Sequence, residues 1–246
     1  MFEFKADLHI HTVLSPCGDL EMSPVNLVNA AAFSGLDIIG ISDHNTTRHC
    51  ELVKELGEEK GIFVLTGTEV NSKEEIHSLA FFEKPEQLAD FQKYIDAWIS
   101  PVKNDPDKFG YQVQVNRKEE IVYEEETLLF GSLDRSVDEI AEKVHELKGI
   151  FIPAHLDRPR NSIYSQLGFF PEGLEADAIE ISWAGNPVEF ITQHPELKEF
   201  AVLRSSDAHF PDDIGRAHSI FTMRNRSFCE IKLALESKAG RKVRGA

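Results

Sequence analysis

Apolar residues in this chain cluster in short runs, and between the runs they recur at helical spacing. The runs Phe4–Leu8, Asp37–Ser42, Ile62–Glu69, His77–Phe82, Ile150–His155, Ala178–Ser182, Ala201–Ser206 and His218–Met223 read as strands. Strands alternating with amphipathic segments signal βα units around a largely parallel sheet, and this number is enough to close a barrel. Helix starts reinforce the alternation. Ser23 precedes Pro24, a proline suited to the first helical position, and Ser136 with Glu139 and Ser227 with Glu230 have capping-box spacing.

The rhythm breaks between Ser100 and Arg135, where prolines and polar residues surround two short β-rich stretches, Tyr111–Val115 and Ile121–Tyr123. This segment is expected to be a loop and β-hairpin inserted between barrel units, positioned to cover a site. The basic end, Lys238–Ala246, is expected to fray and is assigned no function. Residues 1–237 are then one barrel domain.

Composition narrows the class. With 41% apolar and 28% charged residues over 246 positions, the chain is globular and can bury a sizeable core. The first residues lack the basic and apolar blocks of a secretory leader, and no apolar run is long enough to span a membrane. Three cysteines without paired spacing fit a reducing compartment, so a cytoplasmic protein is expected. A net charge of −16 argues against long nucleic acid as a partner and leaves a small phosphorylated substrate open. Oligomeric state is not encoded in any pattern visible here.

The chemistry-bearing residues gather at strand ends. His9 and His11 lie two apart on a strand, so both point to one face and can chelate one ion; Asp7, of the same parity, can hold a histidine N–H. His44 follows the run Ile38–Ile41 as a ligand candidate, with Asp43 as its support, although Asn45 or Thr46 can equally cap the next helix. Glu69 closes another strand, where an unpaired acid is costly without a cation and a bridging carboxylate meets the need. His77 and His155 are weak signals taken singly. Asp207 and His209 repeat the two-residue spacing at a further strand end. Arg158, Arg160 and Arg216 follow these motifs and suit phosphoryl oxygens, with plain surface arginine as the competing reading. His49, His145, His194 and His218 are read as surface residues, and Cys50 and Cys229 as small buried apolar groups on helices.

Taken together, Asp7-x-His9-x-His11, Ser42-Asp43-His44-Asn45, Glu69 with His77, Ala154-His155 and Ser206-Asp207-Ala208-His209 resemble the polymerase and histidinol phosphatase (PHP) family, over nearly the whole chain. The resemblance implies a distorted (β/α)7 barrel holding two or three divalent ions, with zinc, manganese and iron as candidates. It implies His9, His11, Glu69 and Asp207 around a first ion, Glu69, His77 and His155 around a second, and His44 and His209 at a third. Relatives with three ions place another histidine where this chain has Cys17. A Cys17 thiolate would favour zinc or iron; otherwise Cys17 is a small loop residue, and Asp19 or water completes the site.

The resulting expectation is hydrolysis of a small phosphomonoester by a metal-bridging hydroxide, with Glu69, Asp43, Arg158 and Arg216 as the catalytic set. A phosphodiesterase or 3′-5′ exonuclease acting on nucleotides or short oligonucleotides is the alternative within hydrolases, and an amidohydrolase a further one. A metal-stabilised regulatory domain without turnover is the alternative of another class.

Overall fold

The computed structural model describes residues 1–245. In order, its elements are β1 (Phe2–Ile10), α1 (Pro24–Phe33), β2 (Ile38–Ile41), α2 (Cys50–Glu59), β3 (Phe63–Asn71), β4 (His77–Phe82) and α3 (Pro85–Trp98). The inserted segment follows as α4 (Pro106–Phe109), β5 (Val113–Val115) and β6 (Ile121–Glu124). Then come α5 (Val137–Glu146), β7 (Ile150–Pro153), α6 (Ile163–Leu167), β8 (Ile179–Ile181), α7 (Pro187–Gln193), β9 (Val202–Arg204), β10 (Ser219–Met223), α8 (Phe228–Leu235) and β11 (Lys242–Gly245).

Strands β1, β2 and β3 are parallel neighbours. No helix separates β3 from β4, so β4 turns back antiparallel on β3 and pairs with β7 in the same sense. Strand β8 lies beside β7 through Leu156 N–H to Glu180 O, and pairs in parallel with β9. The circuit closes where Ala208, just past β9, bridges Ile10 of β1 in parallel register. The curled sheet is the distorted seven-stranded barrel expected, with the strict parallel alternation broken at β4.

Two expectations fail at the C-terminal end. The run at His218–Met223 forms β10, but it pairs antiparallel with Phe2–Ala6, the first half of β1, instead of joining the circuit. The basic end does not fray: β11 pairs with β10, and buried Arg241 donates to Glu230 at 2.6 and 3.0 Å. That ion pair also explains why Glu230 completes only half of its predicted cap. Ser227 accepts from the Glu230 N–H, while the Glu230 carboxylate turns to Arg241 and the Arg224 N–H. The caps at Ser23 and Ser136 form as predicted.

The core has three parts. Leu8, Ile38, Leu65, Leu79, Phe81, Ile150 and Ile152 fill the barrel with α8 behind them. Ile39, Ile41 and Val64 on the opposite faces pack against α1 and α2. Phe82, Phe151 and Ile179 meet α3 and α5. In β2, Gly40 is demanded by contact: a Cβ there would lie 2.5 Å from Leu8 O. No helix among the described residues is long and apolar enough to cross a membrane.

Candidate metal centre

Side chains from seven chain segments meet at one rim of the barrel. Five of these segments arrive at the carboxyl ends of strands running the same way. His77 comes from the start of β4, and because that strand is antiparallel its beginning lies on the same rim. A register shift in the β1–β2 pairing between Asp7 and Ile10 is stabilised by Ser42, whose hydroxyl both accepts the Ile10 N–H and donates to Ile10 O. Beyond this shift His9 and His11 enter the barrel mouth, fully buried.

Glu69 is the centre of the cluster. Its Oε1 lies 2.9 Å from His77 Nδ1, 3.1 Å from His155 Nε2 and 3.4 Å from His9 Nε2. Its Oε2 lies 3.1 Å from His44 Nδ1 and 3.5 Å from His11 Nε2. Asp207 Oδ1 stands 3.4 and 3.3 Å from His9 and His11 Nε2, and Asp207 Oδ2 is 2.6 Å from Arg158 Nη1. His209 donates from Nδ1 to Asp207 O at 2.8 Å, leaving Nε2 as its free ligand atom.

Among the described residues, buried His9 Nε2, His11 Nε2 and His44 Nδ1 have no hydrogen-bond partner, though all three face carboxylates. Buried polar atoms left unpaired and crowded together are costly, and multivalent cations remove that cost. Three sets of ligand atoms each lie within 4.8 Å of one another: His9, His11 and Glu69; His44, Glu69 and His77; and His11, Cys17, His44 and His209. The donor set fits ions. The geometry also shares His44 between two sets, where the family resemblance gave it to the third ion alone.

Mutual attraction shifts the titrations. Burial alone would raise the Glu69 carboxyl, but His77, His9 and His44, with the His155 hydrogen bond, hold it well below its ordinary value. Burial would likewise depress His9; Glu180, Glu69 and Asp207 outweigh it and hold His9 well above. His44 is held well below by burial, which outweighs Glu69. Burial and then His11 push His209 down to about 4. For the Cys17 thiol, burial followed by Glu69, Asp207 and Asp43 raises the value well above normal, a shift that a bound cation would oppose.

Asn45, His155 and Asp207 have φ of 50°, 31° and 51°, left-handed values that cost energy in residues with a Cβ. Each follows a strand, and His155 and Asp207 turn their side chains into the rim. Asn45 is clamped by its Nδ2 donating to Leu129 O and Gly131 O of the insertion, both at 2.8 Å.

Several expected roles move. Asp7 does not hold a histidine ring: it lies across the register shift and accepts backbone N–H bonds from Ser206 and Gly215. Asp43 neither supports the His44 ring nor reaches the mouth. Its carboxylate is engaged by Thr12 N–H, Thr12 Oγ1 and Ser15 Oγ, each at 2.7 Å. Arg216 spends its donors on Ser206 O and Asp213 and stacks on Trp183, so it braces the Asp207 strand end instead of facing a substrate. Arg160 is exposed. His49 is fully buried, against the surface reading; His145, His194 and His218 are partly buried; and Cys229 is exposed while Cys50 is buried.

Sequence reasoning missed Glu180. It is 2% exposed, accepts His9 Nδ1–H at 2.9 Å and the His155 N–H at 3.0 Å, and so leaves His9 Nε2 for an ion. An acid flanked by Ile179 and Ile181 within a buried strand was the available signal.

The PHP domain matches residues 7–166, well over half of the chain. The chain belongs to the PHP domain family. It is 25% identical over 275 aligned positions to the uncharacterized Bacillus subtilis (strain 168) protein YqxK, covering 99% of this chain and 64% of YqxK. The lesion-specific endonuclease Q of Pyrococcus furiosus has a similar fold, with TM-score 0.75 and 21% identity over 98% of this chain and 58% of that one. An endonuclease Q structure with a 27-mer duplex carrying an abasic lesion at the active site gives 0.73 with the same identity and coverage. The chain thus spans under two thirds of these relatives. The duplex complex overturns the argument from net charge against long nucleic acid, because a barrel of this fold receives a polymer at its active site.

Proposed function

We propose that this PHP protein hydrolyses phosphoesters at divalent ions held around Glu69, and that nucleic acid is its substrate class. The carrying observation is the Glu69 carboxylate, with His9, His77 and His155 at one oxygen and His11 and His44 at the other. A carboxylate divided in this way could hold two ions, one through each oxygen. His9, His11, Glu69 and Asp207 would hold one, Glu69, His77 and His155 a second, and Cys17, His44 and His209 a third, in which a thiolate favours zinc or iron over magnesium.

Bound ions supply Lewis acidity and a water acidic enough to lose its proton near neutral pH. The chain supplies the rest. Glu180 fixes the His9 tautomer, burial of Glu69 and His9 excludes bulk water, and half-exposed Arg158 offers a guanidinium to phosphoryl oxygens beside Asp207.

The nucleic-acid reading draws support from the similarity to endonuclease Q; a small phosphomonoester is the competing substrate. Rates on p-nitrophenyl phosphate, a dinucleotide and an abasic-site duplex, measured with zinc, manganese and iron(II), separate the two. A preference for the monoester would overturn the nucleic-acid assignment. Glu69→Ala should lower turnover on any accepted substrate by about a thousandfold or more; turnover within tenfold of the parent would remove the bridging role. Anomalous scattering that places no metal within bonding distance of Cys17 Sγ would reject the thiolate.

A further inference from the structure

The inserted segment is wired to the metal-ligand loop through one buried histidine. Val115 N–H on β5 donates to His49 Nε2 at 2.9 Å, which fixes the neutral tautomer with the proton on Nδ1. His49 Nδ1–H then meets Thr12 Oγ1 at 2.6 Å, and Thr12 Oγ1–H donates to Asp43 Oδ2 at 2.7 Å. The other Asp43 oxygen receives Ser15 Oγ–H, and Ser15 Oγ in turn lies 3.1 Å from His11 Nδ1 and accepts the His44 N–H at 3.1 Å. A continuous hydrogen-bonded network thus runs from the hairpin to Asp43, which accepts from both sides, and on to the His11 imidazole and the His44 backbone N–H. Burial holds His49 below its ordinary pKa, so the ring keeps the neutral form the network needs.

Packing follows the same line. Val13 of the ligand loop forms a small buried cluster with Val113 and Val115 of β5. Gly110, at φ +93°, lies so near the loop that a Cβ there would stand 2.5 Å from Pro16 O, next to Cys17. Phe130 of the insertion packs against His44 with the rings tilted by 59° and their centroids 5.0 Å apart.

We infer that His49 is a positioning residue that couples docking of the inserted hairpin to the geometry of the loop carrying His11, Ser15 and Cys17. Ordering the loop around ions then orders the hairpin that walls the mouth, and displacing the hairpin loosens the loop; such coupling is reciprocal. This inference rests on the reading that the rim holds metal.

Amide exchange, followed residue by residue with and without zinc(II), tests it alongside a zinc-binding titration of the same samples. In the parent protein, zinc should slow exchange at Val115 and across the hairpin by about fivefold or more, the size expected for one buried hydrogen bond's worth of coupling. His49→Asn retains a group able to reach Thr12, His49→Gln one able to reach Val115, and Thr12→Val removes the central hydroxyl while keeping its shape. Each variant breaks the relay at a different link, so each should bind zinc while its hairpin response falls below about twofold. Zinc binding with an unresponsive hairpin in the parent, or a full response in all three variants, would overturn the relay alone. Absence of zinc binding in the parent would overturn the metal reading, and the relay with it.

Discussion

Glu180→Gln isolates what a buried acid contributes to a metal site it does not itself complete. The substitution keeps the volume and one oxygen acceptor, so the His155 N–H can stay bonded, but it removes the charge that holds His9 Nδ1–H at 2.9 Å. The amide can also present its NH2 to His9 and favour the wrong tautomer, turning Nδ1 into an acceptor and placing a proton on Nε2. Loss of such an orienting carboxylate costs about 10- to 100-fold in metal affinity, or roughly 1.4 to 2.8 kcal/mol at tenfold per 1.4 kcal/mol. Competition titration against a chromophoric zinc chelator measures this directly, and saturating metal should recover part of the turnover. Glu180→Ala goes further by leaving both the His9 ring and the His155 N–H without this acceptor. At about 1–3 kcal/mol for each orphaned donor, its loss of stability should exceed that of the Gln variant in urea unfolding. Parental zinc affinity in Glu180→Gln would refute the argument that the acid sets the His9 tautomer.

Asp43→Ala removes the acceptor for three hydrogen bonds in the ligand loop, so urea unfolding should show a loss on the order of 2–5 kcal/mol; a loss under 1 kcal/mol would mean water replaces the carboxylate. The His145 imidazole is raised above its usual 6.5, first by its hydrogen bond to Asp177. A raised folded value stabilises fully below about 6.5 and fades as pH rises through the folded pKa. His145→Ala should therefore cost more stability at pH 5.5 than at pH 9, and equal costs at the two pH values would contradict the pairing.

What the sequence revealed and what it hid divide along contact range. His9 and His11, or Asp207 and His209, are separated by two positions, and strand-end placement alone brought them to the rim. Glu69 stood out because an acid ending an apolar strand needs a partner. The hidden features depend on distant pairings. The β1 register shift that separates Asp7 from His9 requires Ser42, and the inward turn of Asp43 requires Thr12 and Ser15. His49 looked like a surface residue because its burial comes from Val115, 66 positions away. The C-terminal strand was hidden because its basic, glycine-bearing composition reads as a loose end, whereas Arg241 is paired inside. Net charge misled for a different reason: it averages over a whole surface, while a substrate meets one mouth.

The left-handed backbone at Asn45, His155 and Asp207 bears on how substitutions there are interpreted. Alanine at any of them removes a functional group and forces a Cβ-bearing residue without a locally bonding side chain to keep a disfavoured conformation. Its phenotype would then mix lost chemistry with local unfolding. Asparagine tolerates positive φ better than most residues, so Asp207→Asn and His155→Asn are the cleaner probes of charge and ligation. A glycine at the same positions reports the converse, a chain relieved of conformational cost and deprived only of its side chain.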